Sequence, residues 1–294
     1  MDYSPNSDKI TRDYFDSLLL ESRYIDSDLP STKLELYGRT FDTPVMTAAL
    51  SHLGNTAENG MVIYAKSAAK ANAVHWVGMG EDKELEDICA TGAATIKIIK
   101  PHADNKEVFR KIEHAKKAGC FALGMDLDHA FNGNGGYDNV LGLSMKPKTV
   151  EELHDFVQAA EIPFIVKGVL STKDAEKCLK AGCKGIQLSH HHGIMSYAVP
   201  PLMMLPEILQ VTRGEIPVFI DCGIESGMDV YKCLALGATA VSVGRHLMPL
   251  LKKGADKTAG RIKEMTGELA AAMARTGVKD LKSFDPTVIH QRNF

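Results

Sequence analysis

A lysine ends the apolar run Val166-Lys167-Gly168-Val169, and about one strand-helix unit later a histidine ends the next, in Ser189-His190-His191-His192. A fixed ammonium and an imidazole at successive strand ends suit an anion holder and a proton acceptor, which is the layout of a barrel active site. Asp126 ends an earlier run, and Asp221 and Arg245 end two later ones. The segments Asp221-Cys222-Gly223-Ile224 and Val243-Gly244-Arg245 are short turns whose glycines let backbone N–H groups approach an anion, with Arg245 adding a permanent charge. A phosphorylated ligand is implied, because such sites favour the last strands of a barrel.

These residues need a scaffold, and the chain supplies one by alternation. Apolar, β-branched runs recur at 44–50, 73–78, 94–99, 121–126, 162–167, 185–189, 216–221 and 239–244. Amphipathic stretches lie between them, among them 105–119, 172–182 and 227–237, each closed by a glycine where a left-handed C-cap is needed. Eight β-α units without a linker specify a (β/α)8 TIM barrel rather than an open doubly wound sheet. The expected organisation is one barrel domain over 1–294, with 1–43 as a lead-in.

Composition narrows the function. With 34 basic and 37 acidic side chains among 294 residues, the net charge of -3 offers no bulk attraction to nucleic acid or to a membrane surface. No apolar run is long enough to span a bilayer, and the N-terminus lacks the pattern of a signal peptide, so a cytoplasmic protein acting on a small molecule is expected. The six cysteines form no CxxC pair and read as reduced core residues. Adjacent histidines at a strand end diverge and no Cys or carboxylate set stands at ligand spacing, so no metal is expected. Among the remaining histidines near the same face (His52, His75, His102, His129 and His246), His129 is the foremost candidate to enter the pocket, with a solvated loop position as the default expectation.

The stretches from Ile162 to Val169, Ser189 to Gly193, Pro217 to Ile224, Asp229 to Ala238 and Leu269 to Gly277 resemble the FMN-dependent 2-hydroxy acid oxidases and dehydrogenases, a family that includes glycolate oxidase, lactate oxidase and mandelate dehydrogenase. The resemblance runs from about Tyr14 to the C-terminus. It implies a barrel that binds FMN over its strand ends. His191 would be the base that takes the substrate hydroxyl proton. Lys167 would hold the flavin N1/C2 oxygen and stabilise the reduced, anionic ring. Asp126 would pair with the histidine, and Asp221 would contact the ribityl hydroxyls. Gly223, Gly244 and Arg245 would hold the phosphate, Ala48 and Ala49 would lie against the isoalloxazine, Lys97 would stand where a glutamine faces the pyrimidine, and Ser189 belongs to the same cofactor set. Homo-oligomers are expected, with oxygen, a quinone or a protein as electron acceptor.

The departures bear on the substrate. Where the family carries Asn-His-Gly-Gly-Arg, this chain has His190, His191, His192, Gly193 and Ile194, so the arginine that grips the substrate carboxylate is missing. The loop after strand four, where a second such arginine is expected, contains none between Asp128 and Gly136. Of two lysines on strand three, Lys97 and Lys100, only one can face inward, and Lys97 is expected to replace the lost charge. Simple glycolate or lactate is therefore not the expected substrate. Two other classes stay open: an FMN-dependent isomerase or reductase of the same barrel type, and a flavin-binding barrel without turnover.

Overall fold

The computed structural model of the chain describes residues 6–292. Eight parallel strands form the barrel: β1 (Val45–Thr47), β2 (His75–Val77), β3 (Thr95–Ile99), β4 (Ala122–Asp126), β5 (Phe164–Val169), β6 (Gly185–Leu188), β7 (Val218–Ile220) and β8 (Ala240–Val243). They pair in chain order, and β8 returns to β1 with Val241 opposite Val45. The seam between β1 and β2 is closed by Thr47 N–H donating to Val74 O at 3.1 Å and Gly78 N–H donating to Leu50 O at 2.9 Å. All eight expected runs are strands, shifted by at most three residues at their ends.

A short helix, α1 (Ser7–Ser17), precedes the barrel, and eight helices follow its strands: α2 (Gly60–Lys70), α3 (Asp82–Cys89), α4 (Asn105–Lys117), α5 (Val150–Ala160), α6 (Thr172–Lys180), α7 (Pro201–Thr212), α8 (Gly227–Ala235) and α9 (Ala255–Arg275). Their starts are written in the sequence. Thr149 and Glu152 cap α5 reciprocally, as Ser226 and Asp229 cap α8, satisfying N–H groups that a helix leaves unpaired. Their ends are too: Gly119 and Gly182 follow α4 and α6 at φ +83°, a conformation that costs glycine nothing.

The period of two along each strand sorts residues into two layers. Met46, Trp76, Ile96, Ile98, Ile165 and Phe219 fill the axis, with Trp76 and Phe219 meeting edge to face at 5.5 Å. Val77, Ile99, Met125, Val166, Ile186 and Val241 face the helices. A hairpin of Leu34–Leu36 and Arg39–Phe41 plugs the N-terminal end, packing Leu34, Leu36 and Phe41 against the axial cluster. The opposite end, where the strands finish, is left for chemistry. Among the described residues no helix is long and apolar enough to cross a membrane.

Candidate active site

The inward register carries Lys100, Asp126 and Lys167 to the C-terminal ends of three adjacent strands, with Lys167 directly paired to Asp126 in the ladder. All three are buried. Lys167 Nζ lies 3.0 Å from Asp126 Oδ1, and Lys100 Nζ donates to Asp126 Oδ2 at 2.7 Å. Burial pushes the Asp126 carboxyl up, but the charges of Lys167 and Lys100 win and hold it well below the usual carboxylate range. Burial likewise opposes the charge of Lys167, and Asp126, then Asp221 and Asp128, raise it above the ordinary lysine range.

His191 sits just past β6 in a left-handed conformation, φ +47°, and its own N–H donates to Ser189 Oγ at 3.1 Å. A non-glycine residue held there is strained, a feature that concentrates at working sites. Its Nδ1 lies 3.1 Å from Lys167 Nζ and 3.1 Å from Asp128 Oδ1, and its Nε2 lies 3.1 Å from His129 Nε2. His129 Nδ1 in turn meets Asp138 Oδ2 at 3.1 Å. Burial, then the nearby charge of Lys100, lowers the basicity of His129.

The structure brings Lys167, His191 and Asp126 together as expected but corrects the pairing. The carboxylate on His191 is Asp128, since Asp126 Oδ1 stands 3.8 Å away and is drawn to the two lysines. Asp128 follows β4 in a one-turn 3-10 helix, Asp128–Ala130, and packs over Gly168, where an added Cβ would come within 2.8 Å of its Oδ2. Gly168 also has φ +91°, which makes glycine a requirement of the Lys167-Gly168 pair.

Lys97 is the second correction. It shares the outward register of β3, packs toward α3 and α4, and donates to the carbonyl of Gly78, so it does not reach the axial cavity. Lys100 is the inward lysine. Ser189 is a third: its hydroxyl braces the His191 turn and does not border the cavity lined by Lys167 and Asp221. His75 lies on the outer layer, bonded to Thr47 Oγ1 at 2.7 Å, rather than on the strand-end face. Residues apart in sequence do meet here, since donor atoms of Asp128, His129 and His191 converge within 4.8 Å. The Lys167 ammonium at 3.1 Å from His191 opposes a cation there.

The remaining expected cofactor residues share one cavity of about 680 Å³, bordered by Ala48, Ala49, Lys167, Asp221, Gly223 and Gly244. An FMN fits this wall. Gly244 leaves it open, since a Cβ there would come within 3.2 Å of the Ala48 methyl, while Lys167 supplies a buried cation at its edge. Arg245 stands at the rim, and its guanidinium makes a two-pronged contact with Asp8 of α1 at 2.9 and 3.0 Å. Burial raises the Asp8 carboxyl, but Arg245 and His192 outweigh it and keep it ionised.

Helix α1 therefore lies over the strand-end face, a position that the reading of 1–43 as a lead-in missed. Thr11 Oγ1 meets His190 Nε2 at 2.8 Å, Arg12 donates to Gly223 O at 2.8 Å, and His192 pairs with Asp8. His190 is thus a buried tie, and His192 a rim contact. Asp8, Thr11, Lys100, Asp128 and Asp138 were not assigned to the site from sequence. The inward period of β3 was a usable signal for Lys100, whereas nothing local marks the others.

The profile of the FMN-dependent dehydrogenase family matches residues 6–161 and 144–291. The chain is 25% identical to a 2-hydroxyacid oxidase of Dictyostelium discoideum, over 94% of this chain and 80% of that one. It is 26% identical to a 4-hydroxymandelate oxidase of Amycolatopsis orientalis, over 85% and 80%. The crystal structure of a mandelate oxidase superposes with a TM-score of 0.88 at 25% identity, covering 98% of this chain and 90% of the other.

Proposed function

Because the chain belongs to the FMN-dependent dehydrogenase family, with FMN as its cofactor and oxidoreduction as its chemistry, we propose that it oxidises the hydroxyl carbon of a 2-hydroxy acid bulkier than glycolate or lactate. The observation that carries this reading is the Lys167, Asp126 and His191 cluster beside the cavity of about 680 Å³.

His191 is the proton acceptor in this reading. Its Nδ1 side faces Asp128, whose charge stabilises the imidazolium once a proton has arrived, so the substrate hydroxyl gives its proton at Nε2. His129 Nε2 occupies that side in the free protein, so a bound hydroxyl must displace it. FMN supplies the acceptor for the hydride equivalent when it is bound. Lys167 sets a positive charge at the cavity wall, and Asp126 keeps that lysine charged despite its burial.

The substrate side chain goes to a neighbouring cavity of about 910 Å³ that borders Asp128 and His129 and carries Phe131, Ile194 and Met195. Nine of its sixteen lining residues are polar or charged, and Phe131, Leu170, Ile194 and Met195 supply the apolar part that an aromatic or branched side chain would meet. The same reading takes the protein as a cytoplasmic homo-oligomer that passes electrons to oxygen, a quinone or a protein. Anaerobic mixing of the FMN-bound protein with a panel of aliphatic and aromatic 2-hydroxy acids tests the reading. Bleaching of the flavin absorption by at least one of them is expected, and no bleaching by any would end it.

A further inference from the structure

We propose that Lys100 holds the substrate carboxylate, in place of the two arginines that the sequence lacks. The inference rests on the reading of this face as a 2-hydroxy acid site, and it names the residue that confers that specificity.

The axial register of β3 runs through Ala94, Ile96 and Ile98, and its next position is Lys100. The side chain is buried, 8% exposed, yet an ammonium has three N–H donors and, among the described residues, Asp126 is its one hydrogen-bond partner. Buried polar hydrogens are seldom left without acceptors. Asp221 and Asp128 act on Lys167 in addition to Asp126, whereas Asp126 is the carboxylate bonded to Lys100.

Neither other lysine can take this role. Lys97 is turned to the outer layer, and Lys167 is engaged by both Asp126 and His191. The spacing also suits the substrate class. One carboxylate group, that of Asp126, meets Lys100 Nζ at 2.7 Å and stands 3.8 Å from His191 Nδ1, so Lys100 and the histidine are near neighbours across the same carboxylate. A carboxylate is costly to bury without a charged partner, and Lys100 is a buried cation with donors to spare. A lysine, unlike an arginine fork, fixes charge without fixing angle, which leaves orientation to the side-chain cavity.

The test uses the FMN-bound protein and oxalate, followed by flavin absorption and by calorimetry. Lys100→Met is expected to weaken oxalate binding by about tenfold or more, the loss of one charged hydrogen bond, and Lys100→Arg to restore it to within a few-fold. Glycolamide, which is neutral, is expected to bind the wild type and Lys100→Met alike. Wild type that ignores oxalate, or a Lys100→Met variant that binds it within about twofold of wild type, overturns the proposal. Lys100→Gln keeps a donor for Asp126 and serves if the methionine variant fails to load FMN; if neither loads, Lys100 is a structural ion-pair partner and the proposal falls. Oxalate binding needs no turnover. Lys100-dependent binding without bleaching by any hydroxy acid would therefore sink the oxidase reading alone, and bleaching with oxalate affinity indifferent to Lys100 would sink this one alone.

Discussion

Asp128 Oδ1 lies 3.1 Å from His191 Nδ1, inside hydrogen-bond range, while Asp126, two residues earlier at the end of β4, is spent on two lysines. The two carboxylates therefore have separable effects. Asp128→Asn should slow flavin reduction by about 10- to 100-fold with little loss of stability, since the imidazolium loses its counter-charge. Asp126→Asn leaves two buried ammoniums without a carboxylate and should lower unfolding free energy by about 3 to 5 kcal/mol. Stopped-flow reduction and urea titration of both variants separate the roles, and equal stability losses would contradict the assignment.

His191→Ala should reduce the rate of flavin reduction by roughly 10²- to 10⁴-fold while FMN stays bound. His190→Ala should act differently, because His190 ties α1 to the barrel through Thr11 and accepts from Gly193 N–H. Its expected effect is on thermal stability. Loss of flavin from the His191 variant would instead make that residue structural.

Arg245→Ala should weaken FMN retention more than Cys222→Ala, as only the first removes a positive charge from the rim of the cofactor cavity. Asp8→Asn should do the reverse. Its carboxylate now holds both guanidinium nitrogens and competes for the partner that a phosphate needs. Fluorescence titration of released FMN measures all three, and tighter binding by Arg245→Ala would remove Arg245 from the phosphate site.

Burial depresses the Lys97 ammonium to about 8, against 10.5 for an ordinary lysine. Between those values the unfolded chain binds the extra proton, so stability rises with pH across the window, and the cost of the buried charge is fully present below pH 8. Lys97→Met should be more stable than wild type at pH 7 by about 2 kcal/mol, a difference that shrinks toward pH 10. Urea midpoints at the two pH values decide, and a constant difference would mean that Lys97 does not titrate there.

The barrel was legible because every strand announces itself by an apolar run and several helices by caps that close on adjacent residues, as Thr149 does with Glu152. Lys167, His191 and Asp126 were legible for the same reason: each lies at or just past the C-terminal end of an apolar run. What escaped depends on the third dimension. Whether Lys97 or Lys100 faces inward turns on a one-residue register, and each such step exchanges axis for outer layer. Asp128 reaches His191 from 63 positions away through a single 3-10 turn, and Asp8 reaches Arg245 across 237, so no local pattern encodes either contact.

The substrate prediction joins these features. Without a bidentate arginine, charge on Lys100 attracts a carboxylate but leaves it free to rotate, and a small acid such as glycolate has nothing else to orient it. A larger acid gains contacts from Phe131, Ile194 and Met195, side chains that are 51%, 43% and 63% exposed and unspent in the free protein. Binding energy from that remote part can be used to align the hydroxyl with His191. Mandelate is therefore expected to exceed glycolate and L-lactate in kcat/KM by about tenfold or more, the effect of one well-buried apolar group. Steady-state turnover of glycolate or L-lactate at about 10⁴ M⁻¹s⁻¹ or above, the ordinary enzyme range, would show that Lys100 orients a carboxylate without help from the side-chain cavity.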